Sequence, residues 1–162
     1  MKTASQILML MAVISFMSCG QLHVVTLYVN TNDIEIGNEE LYANFDQPDG
    51  IMNKNFITTV RKGDQIIWKG QSISDPDHVV KITSIEHKDG KEIFELKPFK
   101  KIKGKDGYVN KDFSDELVKG KVTLGPSKKE AYIIEHYTLK FTVSNKSGTF
   151  TIDPEIRGHP IK

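Results

Sequence analysis

From Leu22 onward, apolar and polar residues alternate in short runs and do not recur at helical spacing. Tyr137, Leu139, Phe141 and Val143 alternate with Thr138, Lys140 and Thr142, which puts the apolar set on one face of a strand. A polar loop over 144–148 follows, and Thr149-Phe150-Thr151-Ile152 alternates again. The pattern predicts a hairpin that ends at Pro154, which has no N–H to give to a ladder. Upstream, residues 22–30, 56–60 and 65–68 read as strands, with a turn-rich link over 44–55 and a turn at Gly63-Asp64. Residues 79–87 and 91–96 flank Lys88-Asp89-Gly90. Because Asp-Gly tolerates the positive φ of a tight turn, these two segments are predicted to pair antiparallel.

Helical signals are few. Ser114-Asp115-Glu116-Leu117-Val118 fits one turn with Ser114 as N-cap, bounded by Gly120. The expectation is an all-β chain of about eight or nine strands, a two-sheet antiparallel β-sandwich of Ig-like or jelly-roll-like type. One domain over 20–162 accounts for it, since no linker or internal repeat interrupts the pattern.

The first residues belong to a different pattern. Lys2 precedes an apolar run from Ile7 to Ile14, and Ser15-Phe16-Met17-Ser18-Cys19-Gly20 closes it with small residues. A basic start, a short apolar core and a small-residue exit describe an export signal over 1–19. The run is shorter than the roughly 20 residues that a spanning helix needs. Two exits compete. Ser18 and Gly20 suit an ordinary cut before Gln21, whereas Cys19 after Ser18 fits a lipoprotein box with lipid attached to the thiol. Phe16 departs from the usual Leu of that box. A body with no other cysteine favours lipidation, and either route exports the protein to the cell envelope, periplasm or medium.

Composition adds little to this. Of 162 residues, 27% are charged and 38% apolar, which is the range of an ordinary globular domain. Loss of Lys2 with the signal leaves equal numbers of basic and acidic residues, so net charge names no partner. Lys97, Lys100, Lys101, Lys103, Lys105 and Lys111, interleaved with Phe99 and Tyr108, read as a solvated hairpin loop in preference to a nucleic-acid surface, with contact to anionic headgroups a lesser alternative for a lipid-anchored chain.

No nucleophile elbow, phosphate loop, H-E-x-x-H or C-x-x-C occurs, and the five histidines lack metal-ligand spacing. The expectation is a non-enzyme with no catalytic residues, no metal and no cofactor. The candidate ligand-binding residues are Trp68, Asp75 and Asp77: two carboxylates offer hard oxygen ligands, and an indole can stack on a sugar ring. Each has a structural reading beside the functional one. Asp75-Pro76-Asp77 favours a turn, and the sole Trp suits a core anchor, buried on the same side of its strand as Ile66.

Three phrases carry a family resemblance. Gly63-Asp64-Gln65-Ile66-Ile67-Trp68-Lys69-Gly70-Gln71-Ser72, followed by Val79-Val80-Lys81-Ile82 and Ile85, is similar to the G-D-x-I-x-W-x-G-x-S phrase and aliphatic strand of the AidA/PixA family of bacterial inclusion-body proteins. Pro48-Asp49-Gly50-Ile51 resembles its P-x-G-I turn, and Phe150-Thr151-Ile152-Asp153-Pro154 its closing F-x-I-D-P. The resemblance implies a β-sandwich and supplies no enzymatic residues; some members accumulate as intracellular inclusions. An export signal and a body with Met52 as its one methionine set this chain apart from the methionine-rich inclusion members. The expected function is therefore a non-enzymatic, exported cell-envelope module that binds a glycan or an envelope protein through loops. It meets the membrane through the lipid, does not bind nucleic acid, and is open to homo-oligomer formation. The alternative is a self-assembling structural or storage protein.

Overall fold

The computed structural model describes residues 20–48, 50–97 and 117–161. Ten strands lie among them: β1 (Leu22–Val29), β2 (Ala43–Asn44), β3 (Ile57–Arg61), β4 (Gln65–Ser72), β5 (Val80–Gly90), β6 (Phe94–Lys97), β7 (Val118–Val122), β8 (Ile133–Val143), β9 (Phe150–Ile152) and β10 (Glu155–His159). One sheet runs β2-β1-β4-β7-β6 and the other β3-β10-β8-β5, with β9 beside β8. The chain is an all-β, two-sheet sandwich. A single helical turn, α1 (Glu39–Tyr42), and a 3-10 turn (Asn53–Asn55) complete it. Neither is long enough to leave a periodic signature in the sequence.

Alternation builds the core. Every second residue of β8 from Ile133 to Val143 is buried, and Ile66 and Trp68 on β4 point inward together. Leu27, Ile82, Leu139, Phe141, Phe150 and Ile156 close around them with no exposed surface to speak of. The sheets approach so closely at Gly70 that an added Cβ would lie 2.4 Å from the Val80 carbonyl oxygen. Only glycine fits there without spreading the two layers.

The β8–β9 hairpin stands as the alternation predicted, with Leu139 opposite Ile152 and Phe141 opposite Phe150. The other predicted hairpin does not form. Residues Asp89 and Gly90 stay in β5 opposite His136 and Glu135 of β8, whereas β6 joins β7 in the opposite sheet. Gly90 does adopt a positive φ of 86°, but it serves the end of a bulged strand. A Cβ there would meet the Ile134 carbonyl oxygen at 2.4 Å. The local requirement for Asp-Gly is the same in both settings, so the dipeptide does not say where the chain goes next.

Nor is the sandwich purely antiparallel. β1 pairs with β4 in parallel from Leu22↔Gln65 to Val29↔Ser72, and β3 pairs with β10 in parallel. The chain passes from sheet to sheet between β2 and β6, and parallel neighbours need such crossovers where a hairpin would not serve. Of the predicted turn at 114–118, Val118 opens β7 and residues 114–116 lie outside the described set, as do the lysines at 100–111 and Cys19.

This topology gives the sandwich two unlike ends. At the foot, the described residues begin with Gly20, β3, β7 and β10 finish, and Lys91–Ile93 crosses between sheets. At the crown, the loops over 30–38, 73–79 and 144–149 come together.

Candidate functional site

The crown loops are held by side chains that lie far apart in sequence. Thr31 is fully buried, and its Oγ1 meets Ser72 Oγ at 2.8 Å, Ser74 Oγ at 3.0 Å and His78 Nδ1 at 3.0 Å. Asn145 Nδ2 donates to the Thr31 carbonyl at 3.2 Å, and Lys146 Nζ donates to the Asn32 carbonyl and to Glu35 Oε1. The Val79 N–H reaches Ser144 Oγ at 3.0 Å. All three loops are thereby fixed to one another. Within the first, Asn30 Oδ1 accepts the N–H groups of Asn32 and Asp33, an Asx turn that bends the chain directly after β1. The surface so formed exposes Ile36, Ile73 and Val79, and carries the carboxylates of Asp33, Glu35, Asp75 and Asp77.

A hydroxyl, an imidazole and a carboxylate stand in sequence here, which is the order of a nucleophilic triad. The chemistry does not follow. Thr31 Oγ1 has no access to solvent and is already shared among three partners, and His78 Nε2 lies 3.6 Å from Asp75 Oδ2, beyond a hydrogen bond. The group acts as a brace.

The sequence candidates divide. Asp75 and Asp77 lie on the crown, where Asp75 Oδ1 accepts the Asp77 N–H at 2.9 Å and the Asp75 N–H reaches Ser72 Oγ. Among the described residues no three acidic, histidine or cysteine side chains are grouped to hold a metal ion. Trp68 is not brought to them. It is 0% exposed in the core, with Nε1 donating to Tyr137 Oη at 3.0 Å, so its candidacy for sugar stacking is overturned. Period-two burial on β4 is the physical reason, and its proximity in sequence to Asp75 is beside the point.

Histidine–carboxylate pairs also lie away from the crown. Glu135 of β8 meets the partly exposed His87 of the neighbouring strand β5. At the foot, His23 Nε2 and Asp64 Oδ2 are 2.8 Å apart, while Asp64 also accepts the N–H groups of Gln21 and Arg61, each at 2.8 Å. Burial opposes the charged form of Asp64. The His23 bond and the two backbone donors together outweigh it and hold the carboxyl below its ordinary 3.8. A depressed folded-state value stabilises the fold above pH 3.8, and the contribution disappears as pH falls through the lowered value. Asp64→Asn is therefore expected to flatten the acid limb of a stability–pH profile measured by urea unfolding. A variant profile as steep as that of the parent below pH 3.8 would refute the assignment.

The outer face of the second sheet carries a ladder of exposed pairs, Lys140 on Glu86, Lys88 on Asp153 and His136 on Asp89, with the buried Glu155 on the other side of His136. Pairs of this kind add little to stability and suit a solvated face.

No protein-family model and no curated protein matches the chain. Solved structures similar to it include the cysteine protease inhibitor EhICP2 from Entamoeba histolytica, 11% identical over 84% of this chain and 93% of that one, with a TM-score of 0.38. Another is the McoA multicopper oxidase of the hyperthermophile Aquifex aeolicus, 13% identical over 87% of this chain and 30% of that one, with a TM-score of 0.34. Likeness at this distance carries no argument about activity.

Proposed function

We propose that this chain is an exported cell-envelope protein without catalytic activity, a β-sandwich that binds a glycan or an envelope protein through its crown. The observation that carries the reading is the brace at Thr31, which commits buried hydrogen bonds to fixing three loops in one geometry. Binding surfaces are commonly built from loops positioned by a rigid scaffold, and a fixed loop set loses less freedom on binding. Ile36, Ile73 and Val79 supply apolar contact on that surface, and the nearby carboxylates supply hydrogen-bond acceptors. The export signal and Cys19 support the location, and the AidA/PixA resemblance supports a family without enzymatic residues.

The test is a glycan array, with and without Ca²⁺, beside an assay for retention by immobilised envelope proteins. The expected result is binding that Ile73→Asp abolishes while the melting temperature stays within a degree or two, as surface substitutions allow. Absence of binding in every format, or binding untouched by crown substitutions, would overturn the reading. Self-assembly has less support. β5, an edge of its sheet, is bulged at Ile82/Ser84 and His87/Asp89 and bears Lys81 and Lys88, devices that discourage edge-to-edge pairing. Reversible high-order assembly in light scattering would restore it.

A further inference from the structure

We propose that the foot of the sandwich is a membrane-docking face that rests on the anionic headgroups of a lipid bilayer. The proposal rests on the reading of the chain as an exported protein lipidated at Cys19, and deepens it by fixing which surface meets the membrane.

The first observation is where the chain enters the fold. Gly20 lies so close to the β3–β4 turn that an added Cβ would sit 1.9 Å from the Gly63 carbonyl oxygen. Directly after it, the Gln21 N–H donates to Asp64 and the Gln21 carbonyl accepts from Gln65. A lipid on Cys19 thus begins one residue, about 3.8 Å of chain, from the folded body. No spacer is available to lift the domain from the surface, so the foot is the part that must lie on it. The crown stands away from it by the length of β1, about 25–30 Å at roughly 3.3 Å per residue.

The second observation is the chemistry of the foot, which is independent of the lipid. Arg61, Lys62, Lys128 and Lys129 are exposed there, and none of the four is in an ion pair among the described residues. Glu92, Glu130 and the buried Asp64 are opposing charges there; Glu130 is engaged by the Ser127 N–H, and Asp64 by His23 and the N–H groups of Gln21 and Arg61. Between the cations runs an open groove of about 350 Å³ whose apolar lining includes Leu124, Pro126, Pro160 and Ile161. Leu124 and Ile161 are 40% and 62% exposed. Tyr132, also exposed, stacks on His159 of the groove and lies under the Arg157 guanidinium. Cations around apolar groups and an amphipathic aromatic ring are the composition of a surface that sits at headgroup level. The crown has the opposite sign, with Asp33, Glu35, Glu39, Asp75 and Asp77 against Lys146. The described residues are therefore polarised along the strands, and an anionic bilayer orients them foot down.

The experiment uses the chain beginning at Gly20, which carries every described strand and lacks the acylated cysteine. It is sedimented with vesicles of phosphatidylcholine alone and of phosphatidylcholine mixed with phosphatidylglycerol. Binding to the mixed vesicles only, weakened by salt, is expected. Lys62→Glu/Lys128→Glu should lower the partition coefficient at least about 25-fold, about fivefold for each cation. Lys54→Glu/Lys140→Glu, the same charge change away from the foot, should leave most of the binding intact. Equal binding to both vesicle types, no binding, or equal losses in the two variants would overturn the docking face. Labelling of the full chain with a radioactive fatty acid tests the anchor separately. Vesicle binding that needs Lys62 and Lys128 in a chain whose Cys19 takes no label supports the face and removes the anchor. A labelled chain whose foot ignores anionic vesicles removes the face alone.

Discussion

Trp68→Ala is expected to cost about 3–5 kcal/mol, the range for truncating a buried aromatic side chain. Against the roughly 5–15 kcal/mol that holds an ordinary domain together, that is at least about a fifth of the total. The indole packs against Phe94 at 5.1 Å and edge-on to Tyr137 at 5.9 Å, and Phe94 and Tyr137 complete the triangle at 5.8 Å. Gly120, opposite Ile66 on β7, makes the room: a Cβ there would lie 2.9 Å from the Trp68 ring. The polar edge of the indole matters as well, because its N–H is the donor to a phenol oxygen sealed from bulk solvent. Burial pushes the Tyr137 hydroxyl well above its ordinary value. Trp68→Phe should consequently cost more than its volume alone implies, since it leaves Tyr137 Oη without that partner. Adding Tyr137→Phe should recover part of the loss, because removing both ends of a buried hydrogen bond is cheaper than removing one. Urea unfolding followed by circular dichroism measures this without the fluorescence of the single tryptophan. A Trp68→Ala variant as stable as the parent would refute the core assignment.

How far the sequence could be read follows from which interactions are local. The inward positions of β8 and the β8–β9 hairpin were legible because alternation and a short polar loop are contiguous. Trp68 and Ile66 on one side of β4 followed from the same period. The parallel pairing of β1 with β4 left no such trace, for a crossover is set by the whole intervening chain. The Asp89-Gly90 dipeptide misled, since a strand exit and a tight hairpin both want positive φ at Gly90. The Thr31 brace was out of reach. Its partners are 41, 43 and 47 positions away, and a threonine after a strand is an ordinary turn residue until the fold closes over it. The foot was hidden differently: its cations come from two turns, and neither is a charge run by itself. Glu135 had a readable signal, a carboxylate in the inward register of β8 between Ile133 and Tyr137.

That buried carboxylate is expected to have the next largest effect. Glu135 is 1% exposed; its Oε2 accepts the Ile93 N–H at 2.5 Å and its Oε1 meets His87 Nδ1 at 3.0 Å. Ile93 lies where the chain crosses from β5 to β6, so the carboxylate ties that crossover to β8. Glu135→Ala strands the buried Ile93 N–H at the crossing and should cost roughly 1–3 kcal/mol, the range for a buried donor left without its acceptor. The isosteric Glu135→Gln separates charge from hydrogen bonding. Burial raises the Glu135 carboxyl above its ordinary 4.5, and the bonds from Ile93, His87 and Phe94 offset only part of this. The folded state thus holds the proton more tightly than the unfolded one. The stabilisation is full below pH 4.5 and is lost as pH rises through the raised folded-state value. Glutamine keeps an acceptor for the Ile93 N–H and cannot ionise. Relative to the parent, Glu135→Gln is therefore expected to gain stability as pH climbs from 4.5 toward neutrality, read from urea midpoints at each pH. Hydrogen exchange at the Ile93 amide should stay slow in Glu135→Gln and become fast in Glu135→Ala. Parallel pH profiles for parent and glutamine variant, or a protected Ile93 amide in the alanine variant, would show that the crossover does not depend on this side chain.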